Sequence, residues 1–145
     1  MLKKSIFYPI IFAMIFLLVG CSKSDPQAKL DQAADELQAA LEAKDTSRVL
    51  DMLHEHFTAQ SPSNDKEWAR RTMAAMFLSF KNIKIVAVNV QNRIDEKLPV
   101  RATSQGEVMV MGAEGLIPDS ASRYRVEIEW REEGGEWKVI HIKWQ

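Results

Sequence analysis

The spacing of apolar residues changes once along this chain, and that change constrains its fold more than any other feature. Up to Phe80 the apolar positions after the N-terminal segment recur every three or four residues, as on one side of a helix. From Ile83 onward they alternate, as on one face of a strand. Helices come first and strands after, with no return. That order excludes the alternating strand–helix pattern of a parallel sheet. It predicts an α+β domain: three N-terminal helices packed on one face of a curved, four-stranded antiparallel sheet.

The helical part divides into three. Ala28 to Ala43 places Leu30, Ala34, Leu37 and Leu41 on one side, with Asp25 or Pro26 able to start the helix. Lys44-Asp45-Thr46 ends it and supplies the next N-cap. A second helix is predicted from about Ser47 to His54 or Phe57, with Val49, Leu50, Leu53 and Phe57 as its apolar stripe. After a loop from Ala59 to Asp65, Asn64 or Asp65 can cap a third helix over Lys66 to Phe80. Trp68, Thr72, Met76 and Phe80 line one side of it, with Ala69, Met73 and Phe77 beside them. Stripes of this kind are ordinarily core.

The strands follow. Ile83 to Ile94 is β-rich, and its alternation slips near Ile85-Val86, which predicts a bulge there. Asp95 to Pro99 is a turn, and Val100 to Met111 is the next strand, with Gly106 as a kink. A connection from Gly112 to Ala121 leads to the clean alternation of Arg123 to Arg131. Glu133-Gly134-Gly135-Glu136 is a tight hairpin turn, because paired glycines supply the positive φ it needs. Trp137 to Trp144 is the last strand. With Gly134-Gly135 as a two-residue loop, Glu133 faces Glu136 and Trp130 faces Val139. Tyr124, Val126, Ile128 and Trp130 are then expected to share the helix-facing side with Trp137, Val139, His141 and Lys143. Ile140, Ile142 and Trp144 are expected on the outer side, among charges; a loop one residue longer would swap the faces of the last strand.

The N-terminus has another character. Lys3 and Lys4 precede a run from Ile6 to Val19 that only Tyr8 and Pro9 interrupt. It is about 14 residues long, short of the roughly 20 needed to span a bilayer, and it has the length of a signal-peptide core. Leu18-Val19-Gly20-Cys21 closes it, with a small residue before the chain's only cysteine. These residues resemble the signal of bacterial lipoproteins, whose pattern is Leu-x-small-Cys. The resemblance implies removal of residues 1–20, diacylglycerol on the Cys21 thiol and a further fatty acyl chain, such as palmitate, on the new N-terminus. Several chains anchor stably where one would not. It also implies a cell-envelope location. Ser22 in place of Asp points to the periplasmic face of the outer membrane in Gram-negative members. Residues 21–27 are then a lipidated tether and residues 28–145 the domain.

Removal of residues 1–20 from the 145 leaves 125, enough for one domain with one core. The chain has 19 Lys and Arg against 20 Asp and Glu; without Lys3 and Lys4 the basic count is 17, a balance of −3. Nothing in that balance attracts nucleic acid. With Cys21 acylated, no thiol is left for a disulfide, a metal or catalysis.

The order of elements supports a second resemblance. Three helices, four long strands and the ending Gly135-Glu136-Trp137-Lys138-Val139-Ile140-His141 look like the NTF2-like (SnoaL-like) superfamily. Ala40 to Asp45 resembles the end of the first helix in its small members. The resemblance implies a cone-shaped α+β fold and, in many members, a dimer through the sheet. The superfamily includes dehydratases, isomerases, ligand-binding domains and assembly modules, so it does not choose a function.

Candidate chemistry is sparse. His54 and His56 on a helix would point apart, a poor metal site that could serve only if the helix had already ended, and read better as solvated helix-end histidines. No cofactor motif and no zinc spacing is present. His141, if inward, could be a general base near Tyr124, although satisfied core histidines are commoner. Tyr124, Trp130 and His141 are the expected lining of a ligand pocket, and Ile140, Ile142 and Trp144 the expected partner face. The leading expectation is a non-catalytic envelope lipoprotein that binds a small apolar ligand or a protein partner. The alternatives are a lyase or isomerase using His141 and a structural homodimerisation module.

Overall fold

The computed structural model describes residues 25–113 and 120–145. The signal segment, Cys21 and most of the tether lie outside the described residues, as does most of the connection expected between Gly112 and Ala121. The elements are α1 (Pro26–Glu42), α2 (Thr46–Met52), β1 (Leu53–Ala59), α3 (Lys66–Ser79), β2 (Asn82–Ile94), β3 (Arg101–Ala113), β4 (Ser120–Glu133) and β5 (Glu136–Trp144).

Local chemistry sets the helix ends. The Asp25 carboxylate accepts the Gln27 N–H at 3.0 Å and Pro26 opens α1. Asp45 and Asp65 cap α2 and α3 in the same way, through Arg48 N–H and Trp68 N–H. Lys44 links two helix ends. Its backbone turns left-handed after α1 (φ 55°), and its ammonium donates to the carbonyls of Phe77 and Phe80 at 3.1 and 3.0 Å. These are orphan carbonyls at the C-terminus of α3, where a cation is favoured.

The sheet has five strands in the order β1-β5-β4-β3-β2, and it is mixed, not the expected four-stranded antiparallel sheet. The difference lies in Leu53–Ala59. The helix predicted there ends at Met52, and the chain continues as β1, parallel to β5. Leu53 and Phe57 fit a helical stripe, but Phe57 and Ala59 also alternate, and all three are buried. The open backbone edge of β5 decides between the two, because pairing it satisfies carbonyls and amides that a helix would leave bare.

The core lies between the helices and one face of the sheet. Leu30, Leu37 and Ala40 of α1 pack with Val49, Leu53, Phe57, Met73, Trp130, Trp137 and Val139. Trp130 is 1% exposed, and its indole N–H donates to Ser104 Oγ at 2.8 Å. The Phe80 ring packs against Gly112, where a Cβ would collide with it.

Two bulges set the faces. In β2 the irregularity falls at Asn89-Val90, between the pairs Val88↔Glu107 and Gln91↔Gln105, not at Ile85-Val86. Asn89 has φ 55°, and Gly106 sits opposite, where Val88 O and Val90 Cγ2 leave little room for a side chain. In β5 the hairpin pairs Glu133↔Glu136 and Trp130↔Val139 are as expected, with positive φ at Gly134 and Gly135. The next pair is Glu129↔His141, so Ile140 is an extra residue.

Candidate functional site

Ile140 reverses the expected order of the last strand. Ile142 pairs with Ile128 and Trp144 with Val126, so both join the helix-facing side, where they pack on the core. His141 and Lys143 pair with Glu129 and Glu127 and move to the outer side. The expected partner face of Ile140, Ile142 and Trp144 is therefore divided, and only Ile140 borders the outer surface. The expected pocket is divided too. Trp130 is core, His141 lies on the other side of the sheet, and Tyr124 is half-buried farther along β4, opposite Val108. A one-residue bulge suffices because side-chain direction alternates with a period of two.

His141 instead lies in a cleft of about 380 Å³ on the outer side of the sheet. Its walls include His56, Thr58, Thr103, Glu129, Arg101 and Arg131. The floor is a row across four strands, running Thr103↔Glu129, Glu129↔His141 and His141↔Thr58. Thr58 Oγ1 and His141 Nδ1 are 2.8 Å apart, which orients the imidazole. Arg101 and Arg131 face each other directly across β3 and β4. Neighbouring like charges repel, so the pair favours an anionic or carbonyl-bearing group in the cleft. Glu129 and Asp95 border the same space and limit its net charge.

A second row lies beside the first. Gln105 donates to Glu127 at 2.6 Å, and Lys143 Nζ is 2.6 Å from the other carboxylate oxygen. The Lys143 bond holds the Glu127 carboxyl below its ordinary range, against the opposing effect of burial. The same bond raises Lys143. This row is internally paired, whereas Arg101 and Arg131 face the cleft.

The remaining histidines also differ from expectation. His54 and His56 belong to β1, not to a helix end. His54 is 3% exposed; its Nδ1 accepts the His56 N–H at 3.0 Å and its Nε2 lies 2.8 Å from the Glu133 carboxylate. The first bond puts the proton on Nε2, which donates to Glu133. His54 thus joins β1 to the end of β4. Among the described residues, no group of three or more His, Cys, Asp or Glu side chains converges as metal ligands do.

Thr58, Thr103, Glu129, Arg101 and Arg131 are the site residues that sequence reasoning missed. Their one signal was the strict alternation of Arg123 to Arg131, which put Glu129 and Arg131 on one side. Without the bulge in β5, His141 could not be assigned to that side.

Comparison with solved structures shows an NTF2-like fold, also described as cystatin-like. A protein of the NTF2-like family from Streptomyces avermitilis, provisionally assigned as a dehydratase, superposes with a TM-score of 0.69 at 10% identity, over 81% of this chain and 93% of its own. A Nostoc punctiforme protein of unknown function with a cystatin-like fold gives 0.63 at 18% identity, over 81% and 87%. Bd1075 of Bdellovibrio bacteriovorus gives 0.68 at 14% identity over 80% of this chain, which spans only 40% of that longer protein. Likeness at such identities establishes the fold alone. The sequence matches no protein-family model and no curated protein.

Proposed function

We propose that this chain is a lipid-anchored protein of the bacterial envelope whose NTF2-like domain binds a partner and carries out no catalysis. The anchor is Cys21, acylated after removal of residues 1–20, with the outer membrane as its site. The binding surface is the outer side of the sheet, around Arg101, Arg131, Glu129 and His141.

One observation carries the binding reading: Trp130, Leu30 and Val139 fill the space between α1 and the sheet where a small apolar ligand would sit. Accessible polar chemistry lies on the other side of the sheet, in a cleft of hydrogen-bonding and charged groups. A protein segment bearing a carboxylate or exposed carbonyls fits such a surface better than a small apolar molecule does.

The test is site-specific photo-crosslinking in intact cells from position Thr103 in the cleft, compared with Leu78 on the solvent side of α3. A partner captured from Thr103 and lost on Arg131→Glu, with the unfolding midpoint retained, supports the reading. Capture that is indifferent to Arg131→Glu overturns it. For the anchor, Cys21→Ser is expected to accumulate unprocessed, unacylated precursor.

A second reading keeps His141 as a general base, now in the outer cleft with Glu129 opposite. It is favoured by the Thr58 bond, which leaves the other imidazole nitrogen for a ligand. A homodimer through the outer side is the third, and sedimentation at two concentrations separates it from the others.

A further inference from the structure

One end of the domain combines three features. The first is where the chain enters. The Gln27 side chain donates to the Asn92 carbonyl at 3.0 Å, Lys29 Nζ to the Gly135 carbonyl at 3.3 Å, and Trp137 Nε1 to the Pro26 carbonyl at 3.4 Å. The first turn of α1 therefore lies beside both the β2–β3 and the β4–β5 turns. The other end of α1 is far along β2, where Glu42 accepts the Ile85 N–H.

The second feature is the β2–β3 turn itself. It presents Leu98, Pro99 and Val100 to solvent, with Leu98 48% and Val100 45% exposed. The turn is held rigid. Asp95 Oδ1 accepts the amides of Lys97 and Leu98 at 2.8 and 3.0 Å, and Arg101 N–H closes the turn on the Leu98 carbonyl at 2.8 Å. Apolar side chains exposed together on an ordered tip suit a membrane or protein contact.

The third feature is the length of the tether. Asp25 is four residues from Cys21, which at about 3.3 Å per residue is a reach of at most about 13 Å. An acylated Cys21 would bring the bilayer surface within that distance of this end.

We propose that the Leu98–Val100 tip rests in the interfacial zone of the same bilayer that holds the acylated Cys21. This rests on the lipid-anchor reading. The anchor and the tip then make two contacts, and two contacts orient the domain where one would let it swing. The strands stand upright on the membrane. The outer cleft, which Asp95 and Arg101 border, faces sideways close to the membrane surface. Charges around the tip are mixed, with Lys97, Arg93 and Arg101 against Asp95 and Glu96, so the contact is apolar insertion and does not require anionic lipid.

The test uses the full acylated chain reconstituted into vesicles of phosphatidylethanolamine and phosphatidylglycerol. An environment-sensitive fluorophore is placed by Leu98→Cys or, as a control at the opposite end, by Ser63→Cys. Quenching by a lipid-borne nitroxide is expected to be several-fold stronger at 98 than at 63, and to persist in vesicles of phosphatidylcholine alone. Equal quenching at the two positions in a chain whose mass shows an acylated Cys21 overturns the tip contact and leaves the anchor standing. A Cys21 thiol free to take the fluorophore overturns the anchor and the tip contact together. Protection of position 98 in native envelopes but not in lipid vesicles assigns the tip to a protein partner and overturns the bilayer.

Discussion

Glu129 lies opposite His141 across β4 and β5, while the adjacent Trp130 lies opposite Val139. Between those two pairs the chain inserts Ile140, and the last strand changes sides. Ile142 and Trp144 complete the core because of it, and His141 and Lys143 reach the outer rows. Deletion of Ile140 is expected to return His141 and Lys143 to the apolar side and to expose Ile142 and Trp144, so that the protein no longer folds cooperatively. Ile140→Ala keeps the extra residue and is expected to cost about 1–2 kcal/mol, as a partly buried side chain does. Thermal unfolding of both variants decides; a deletion variant with a wild-type midpoint would refute the assigned faces.

The Trp130 indole N–H has Ser104 Oγ as its partner in a site without water access. Ser104→Ala is expected to destabilise by about 1–3 kcal/mol, because the donor stays buried without an acceptor. The same change in a Trp130→Phe background is expected to cost much less, since no donor remains. Urea titrations of the four proteins measure the coupling; additive losses would mean that the bond contributes nothing.

Gly112 carries the Phe80 ring against its backbone. Gly112→Ala is expected to lose about 1–3 kcal/mol through overpacking, and Phe80→Leu to recover part of that loss. Recovery is the informative outcome, since a backbone effect at residue 112 would not respond to residue 80.

His54 depends on two bonds of different kind. Glu133→Gln retains an oxygen acceptor for Nε2–H, and its side chain is half exposed, so the expected loss is below about 1 kcal/mol. His54→Ala removes the acceptor of the His56 amide and opens a cavity, for an expected loss of about 2–4 kcal/mol. Chemical unfolding of the two variants tests the order; equal losses would show that the Glu133 charge dominates.

Acid should destabilise the fold through named carboxyls. Burial alone would raise Glu42, but the Ile85 amide and Lys84 bring it below its usual 4.5. Glu127 is lowered likewise by Lys143, and Asp95 is lowered from 3.8 by the amides of Leu98 and Lys97. A depressed folded-state value stabilises above the ordinary value and is lost as pH falls through the folded one. Lys143 is raised, so its contribution is complete below its usual 10.5 and fades as pH rises through the higher folded value. The expected profile is flat near neutrality and falls below about pH 4.5, more shallowly in Glu127→Gln. Unfolding midpoints measured from about pH 3 to about pH 7 test it; an unchanged slope in that variant would exclude Glu127 as a source.

Much of the fold was legible in the sequence because local rules govern it. Asp45 and Asp65 cap helices through their own side chains, and Gly134-Gly135 can hardly be anything but a tight turn. The apolar period separates helices from strands wherever only one period fits. Leu53 and Phe57 fit two, and the edge of β5, remote in sequence, chose between them. The candidate site was largely illegible. Its row is assembled from β1, β3, β4 and β5, and no local motif connects Thr58, Thr103, Glu129 and His141.

The sequence by itself determined the α+β class, where the three helices begin, the hairpin at Gly134-Gly135 and the pairing of Trp130 with Val139, each decided by residues close along the chain or by a two-residue turn. Only the tertiary structure decided that Leu53–Ala59 is a fifth, parallel strand and that His141 lies on the outer side of the sheet. Both depend on pairing across the sheet: β1 forms because β5 offers an open edge, and His141 turns outward because Ile140 is accommodated as a bulge against Glu129. Backbone hydrogen bonds between distant segments carry that information, and side-chain periodicity within a segment does not.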